Sequence, residues 1–223
     1  MKVIAVLNQK GGSGKTTIAT HLSRALQLGG KSVVLIDSDR QGSARDWSAA
    51  NPNQPVFVVA IDRPVLDRDI PAQYGKSDFV VIDGAPAADD MAVSAIRAAH
   101  LVLMPVTPSP YDVWAVSDLA EMVRHRIEIT ADRKGGPLKA AFVISRAIRG
   151  TTLGAEVTDA LAEYRLPVLA SRIHQRQAYP ASAKSGSTVL DDVPGSAAAA
   201  EVLALRDDVV AFIQNPVFKE TQQ

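Results

Sequence analysis

The 223-residue chain has no cysteine. That absence removes disulfide frameworks, thiolate zinc sites and cysteine-ligated iron–sulfur clusters from its possible chemistry. Long apolar runs are also missing, since none approaches the ~20 residues that a membrane-spanning helix needs. The chain opens on a strand-like run and not on a charged-then-apolar leader. A soluble, cytoplasmic protein is expected. Net charge is absent too: 24 Lys and Arg balance 24 Asp and Glu, which argues against constitutive tight binding to nucleic acid. What is present is apolar material, 47% of the chain. That is enough to bury a sizeable core, and residues 1–223 are expected to form one domain.

The charge is unevenly spread. Residues 120–190 carry 11 basic against 6 acidic residues, a balance of +5, whereas residues 191–223 carry 2 against 6. A basic region therefore precedes an acidic C-terminal helix, although an ordinary solvated surface can show this asymmetry by chance.

The organising stretch is Gln9-Lys10-Gly11-Gly12-Ser13-Gly14-Lys15-Thr16-Thr17. The apolar run Val3–Leu7 leads into it. Ile18, Leu22, Ala25 and Leu26 then recur at helical spacing, until Gly29-Gly30 supplies a stop. Strand, glycine-rich loop and helix are the context of a phosphate-binding loop. The glycines let backbone N–H groups curl inward, and the helix N-terminus adds partial positive charge. Lys15 is expected to reach the β- and γ-phosphates and Thr16 to ligate Mg²⁺. The plain G-x-x-x-x-G-K-[ST] pattern is not met, because Gln9 occupies its first position. The loop is a deviant form with a second lysine, Lys10.

The rest of the chain alternates strand and helix patterns. Ser32–Ile36 is a short buried strand ending at Asp37-Ser38-Asp39-Arg40-Gln41. Paired aspartates just past a strand suit metal coordination and the orientation of an attacking water. Val56–Ala60 is a further strand, followed by a Pro-interrupted stretch with a weak helical pattern. Phe79–Asp83 has the Walker B form, with Asp83 expected to hold Mg²⁺ through a water. Leu101–Met104 runs into Pro105-Val106-Thr107-Pro108-Ser109-Pro110-Tyr111-Asp112. There Ser109, Pro110 and Asp112 resemble a capping box. The three prolines make either a rigid turn or a preformed contact surface. Ala140–Ile144 forms a strand closing with Ser145-Arg146, and Thr152–Tyr164 reads as a helix. Val168–Ala170 with Ile173 is the last strand, and a final helix over Ser196–Ile213 stops at Asn215-Pro216. The fold class expected is α/β: a doubly wound, mostly parallel sheet with helices on both faces and right-handed crossovers.

Taken together, these residues resemble the ParA/MinD family of deviant Walker A ATPases nearly end to end, closest to the small ParF-like plasmid partition ATPases. The pattern appears as Lys10–Thr17, Asp37–Gln41 (usually D-x-D-P-Q), Val80–Asp83, Pro105–Asp112 and Ile173-x-x-Arg176. The resemblance implies ATP and Mg²⁺ as cofactors and an ATP-bound homodimer with two nucleotides between subunits. Lys10, Gly11, Gly12, Ser13, Gly14, Lys15, Thr16, Thr17 and Arg146 are the nucleotide-binding candidates. Lys10 is expected to reach the partner's phosphates. Asp39 is expected to position the hydrolytic water, with Asp37 supporting it. Thr16, Asp37 and Asp83 are the metal candidates. Non-specific DNA and a ParB- or ParG-like protein are the expected partners, with no membrane and a nucleoid-associated location. Arg40 stands where the family usually has proline, so it either tunes hydrolysis or points to solvent, the second being expected.

Three relatives on the same loop compete. A MinD-type membrane ATPase needs a cationic amphipathic end, but residues 196–223 offer only Arg206 and Lys219 as cations. A nitrogenase-type reductase needs cysteines. A small-molecule synthase or kinase remains the alternative, and the sequence does not name the cargo of a positioning ATPase.

Overall fold

A computed structural model of the protein describes residues 1–86, 89–132, 136–150 and 153–215. Seven strands form one sheet: β1 (Lys2–Val6), β2 (Val33–Asp37), β3 (Phe57–Ala60), β4 (Phe79–Asp83), β5 (Leu101–Val106), β6 (Lys139–Ala147) and β7 (Val168–His174). Their order is β3-β2-β4-β1-β5-β6-β7, and every pairing is parallel. Parallel strands need crossovers, which here are helices. These are α1 (Lys15–Leu28), α2 (Ser43–Ala49), α3 (Leu66–Tyr74), α4 (Asp90–Ala98), α5 (Pro110–Trp114), α6 (Ser117–Ile129), α7 (Leu153–Ala162), α8 (Ala178–Lys184), α9 (Val189–Asp192) and α10 (Ala197–Gln214).

Because both faces of the sheet are covered, successive strand residues enter different cores. Val3, Ala5, Val80, Ile82 and Phe142 pack with α3, α4, α6 and α7 on one face. Ile4, Val6, Val81 and Val143 pack with α1 and α10 on the other. The chain winds outward from β1 in both directions, so β1 and β4 lie at the reversal of strand order, where open α/β sheets form their binding crevice. In register there, Val6 stands opposite Asp83 and Asp37 opposite Asp83.

The helix ends follow local chemistry. Gly29 caps α1, and Gly30 takes φ +78°. Asp89 caps α4 by accepting from the Met91 and Ala92 amides, a helix that the sequence reading did not assign. Lys139 Nζ closes α10 by donating to the carbonyls of Phe212 at 2.8 Å and Ile213 at 3.0 Å, and to that of Asn215. The capping-box expectation is corrected. Ser109 is the N-cap and Pro110 opens α5, but no side chain caps there. The Asp112 carboxylate instead accepts from the Thr107 hydroxyl and pairs with Lys10. A charged partner outcompetes the amide that the box would have offered. Thr152 and Pro216, invoked above for helix boundaries, lie outside the described residues.

His21 joins α1 to the C-terminal half. Its ring is buried, with Nδ1 2.8 Å from the Thr17 carbonyl and Nε2 accepting the Val189 amide at 3.2 Å. That pair of partners fixes the Nδ1–H tautomer and leaves no room for a second proton. The ring also packs edge-on against Tyr179 at 5.2 Å. Burial pushes the imidazole down from 6.5 to about 4. A base with a lowered folded pKa stabilises above its unfolded value and loses that stability as pH falls. We therefore expect the unfolding free energy from urea titration to drop between pH 6.5 and 4, by about 3 kcal/mol from this group, and His21→Gln to flatten that drop.

Candidate nucleotide site

The phosphate loop runs from the end of β1 to the start of α1. Its curl depends on left-handed backbone at Gly12 (φ +78°) and Gly14 (φ +94°). At Gly14 a Cβ would also stand 2.5 Å from Ser145 Oγ, so the loop is pressed onto the end of β6. Asn8 braces the entry: it donates to the Pro105 carbonyl at 2.6 Å and accepts the Lys10 amide at 2.8 Å. At the β6 end, a register shift brings Arg146 to φ +55°, and its guanidinium donates to the Gly12 carbonyl at 3.1 Å. The sequence reading placed Arg146 near nucleotide but not the bulge that aims it.

The two loop lysines differ. Lys15 is 8% exposed and folds back to donate to the Lys10 carbonyl at 3.1 Å. Burial lowers its pKa, and Asp83 and Asp39 oppose the shift. Lys10 lies at the rim and does not line the cavity above the loop. Its ammonium pairs with Asp112, whose side chain is 8% exposed. Beside this pair, α5 presents Tyr111 and Trp114 to solvent, stacked edge-on at 5.5 Å.

Beneath the loop sit the acidic groups. Asp83 is 1% exposed, and among the described residues neither carboxylate oxygen accepts a well-formed hydrogen bond, the Thr16 hydroxyl alone lying close enough to pull on it. Burial pushes it up to about 7, and the Thr16 hydroxyl and Lys15 pull it back only in part. A buried carboxylate without a partner is costly, and a cation near Thr16 would relieve it. Among the described residues, no cluster of three acidic or histidine side chains could hold an ion alone. The donor set therefore suits Mg²⁺, which takes one or two carboxylates and fills its shell with water and phosphate oxygens. Ser13 Oγ is likewise buried without a partner.

Asp37 is fully buried but satisfied. One oxygen accepts the Asp39 amide at 3.1 Å, and the other accepts the Arg45 amide at 2.9 Å. Asp39 is half-buried, lines the cavity and accepts the Gln41 amide at 2.9 Å. Arg40 is exposed, as expected.

The cavity over the loop measures about 590 Å³, within the roughly 300–1,000 Å³ typical of small-ligand sites. Gly11, Gly12, Gly14, Lys15, Thr16 and Thr17 form its floor, and Asp39 and Gln41 one wall. His174, Gln175, Arg176, Gln177 and Tyr179 form the other. That second wall was largely missed by sequence reasoning. It is held by Glu201 of α10, which accepts from the His174 amide at 3.2 Å and Arg176 Nε at 3.0 Å. A triphosphate with Mg²⁺ fits these residues: loop amides and Lys15 for the anion, and the incompletely compensated Asp83 carboxylate for the cation.

The chain is 31% identical over 214 residues to maintenance of carboxysome distribution protein A of Halothiobacillus neapolitanus, covering 93% of this chain and 95% of that one. Its fold matches that of a Cyanothece McdA–ATP complex with a TM-score of 0.74 at 18% identity, covering 98% and 99% of the two chains. It also matches the cobyrinic acid a,c-diamide synthase of Mycobacterium smegmatis with bound ADP and magnesium. That TM-score is 0.73 at 22% identity, with 98% and 99% covered. Residues 4–189 match the CobQ/CobB/MinD/ParA nucleotide-binding domain, and the chain belongs to that family.

Proposed function

We propose that the chain is a positioning ATPase of the partition type. It hydrolyses ATP with Mg²⁺, pairs with a second copy of itself when ATP is bound, and then holds DNA without regard to sequence. A ParB- or ParG-like protein on the cargo stimulates hydrolysis, and the ATP-bound dimer is nucleoid-associated. The full-length likeness to a distribution protein supports this reading over a small-molecule synthase, since the likeness to the synthase is one of fold alone.

The observation that carries the reading is the division between the two lysines. Lys15 is buried on its own loop, where it serves the phosphates of its own nucleotide. Lys10 does not line that cavity and pairs with Asp112, beside exposed aromatics. A lysine so placed serves a phosphate on another molecule. The bound nucleotide supplies the phosphoryl group; Asp39, on the cavity wall, orients the attacking water, and Asp37 holds the Asp39 amide. Asp83 and Thr16 provide the protein's share of the metal site, with Asp37 beside them.

Lys15→Gln should lose binding of a fluorescent ATP analogue, because its ammonium is the charged donor inside the dry cradle. Lys10→Ala should keep part of that binding yet fail to dimerise with a non-hydrolysable analogue. A normal dimer in sedimentation would remove the cross-subunit role. Asp39→Ala leaves the cradle whole and removes the group that orients water. It should bind ATP, dimerise and stall, which phosphate release measures directly.

DNA binding rests on the basic balance of residues 120–190. Arg149 and Lys184 are exposed near the nucleotide end of the sheet, whereas Arg165 lies at the opposite end of β7. Arg172 is half-buried, 3.5 Å from the Thr158 hydroxyl. One subunit thus offers few phosphate contacts, and a dimer doubles them. Each neutralised phosphate adds about −0.9 to the log–log salt slope. Random-sequence DNA should shift at low salt with ATP, release steeply as salt rises, and fail to shift with ADP; an equal shift with ADP would overturn the nucleoid-bound dimer.

A further inference from the structure

Asp39 has to be held still if it is to aim a water, and the residue that holds it lies six positions further on. Asp39–Gly42 is a β-turn closed by the Gly42 amide donating to the Asp39 carbonyl at 3.0 Å, with Gly42 at φ +74°. Arg45, in the first turn of α2, grips this turn from outside. Its Nη2 donates to the Asp39 carbonyl at 3.2 Å and to the Arg40 carbonyl at 3.3 Å. Its own amide donates to Asp37 Oδ2 at 2.9 Å, and its Nε stands 3.5 Å from that same oxygen. The other oxygen of Asp37 accepts the Asp39 amide.

We infer that Arg45 is a positioning residue for Asp39, completing a brace that holds both peptide groups flanking that residue. Asp37 fixes the amide before Asp39, Arg45 fixes the carbonyl after it, and the two braces pair with each other. Charge-assisted bonds from one planar guanidinium to two adjacent carbonyls define a direction as well as a distance. The inference rests on the reading of Asp39 as the residue that orients water.

Arg40 explains why such a brace is needed here. It occupies position i+1 of the turn, where φ is near −60° and proline is favoured. Proline there would stiffen the turn covalently. With arginine in that place the stiffness has to come from another source, and Arg45 supplies it by hydrogen bonds.

Three variants test this: Arg45→Ala, Arg40→Pro/Arg45→Ala and Asp39→Ala. Each is measured for affinity towards a fluorescent ATP analogue and for single-turnover phosphate release with Mg²⁺. Arg45→Ala should bind nucleotide as the wild type does and release phosphate about tenfold more slowly, inside the ~100-fold that a misplacement of an ångström can cost. Adding Arg40→Pro should recover most of the lost rate, which a merely structural role for Arg45 would not allow. Wild-type turnover by Arg45→Ala beside a stalled Asp39→Ala overturns the inference alone. So does a loss that proline fails to recover, or a loss of nucleotide affinity in Arg45→Ala. Wild-type turnover by Asp39→Ala removes the reading of Asp39 and this inference with it.

Discussion

A buried carboxylate with too little compensating charge is costly to ionise, and Asp83 occupies that position at the point where the strand order reverses. The sheet forces it there: β4 is flanked by β1 and β2, so its last residue emerges between the phosphate loop and the Asp37–Gly42 segment. Asp37 stands in register beside it and adds like-charge repulsion. The neighbourhood is therefore electrostatically unfinished, and a cation carried in with phosphate completes it. Nucleotide binding and relief of this buried charge are one event.

Much of this was legible in the sequence because it was written in local patterns. The seven apolar runs gave the seven strands, and the glycine spacing gave the loop. The aspartates at strand ends gave the acidic floor, since a parallel sheet brings successive C-terminal ends to one edge. Helix α4 was also within reach, through Asp89 as a cap ahead of Met91, Ala95 and Ile96.

What escaped was the choice that each long side chain makes among partners distant in sequence. Asp112 has a local option as a capping residue, but it takes Lys10, about a hundred positions earlier, because a buried carboxylate gains more from a cation than from an amide. Asp37 reads as a metal ligand from its position, but the sequence gives no sign that each of its oxygens also accepts a backbone amide, from Asp39 and Arg45. Arg176 matches the family pattern but gives no sign that Glu201, on the last helix, anchors it. Periodicity and motif spacing carry no record of such pairings; they depend on side-chain conformations that only the assembled sheet selects.

The two tryptophans of the chain fall on opposite sides of this division. Trp47 is 6% exposed on α2, donating its indole N–H to the Ser187 carbonyl at 2.9 Å. Trp114 is 64% exposed on α5, next to the Lys10–Asp112 pair. One emitter is shielded and sits just beyond the Asp39 turn; the other is hydrated and sits beside the Lys10–Asp112 pair, where the proposed dimer would cover it. Intrinsic fluorescence therefore divides into a blue component and a quenchable red component. Ordering of the Asp39 segment and covering of α5 become two optical events that can be timed separately in unlabelled protein.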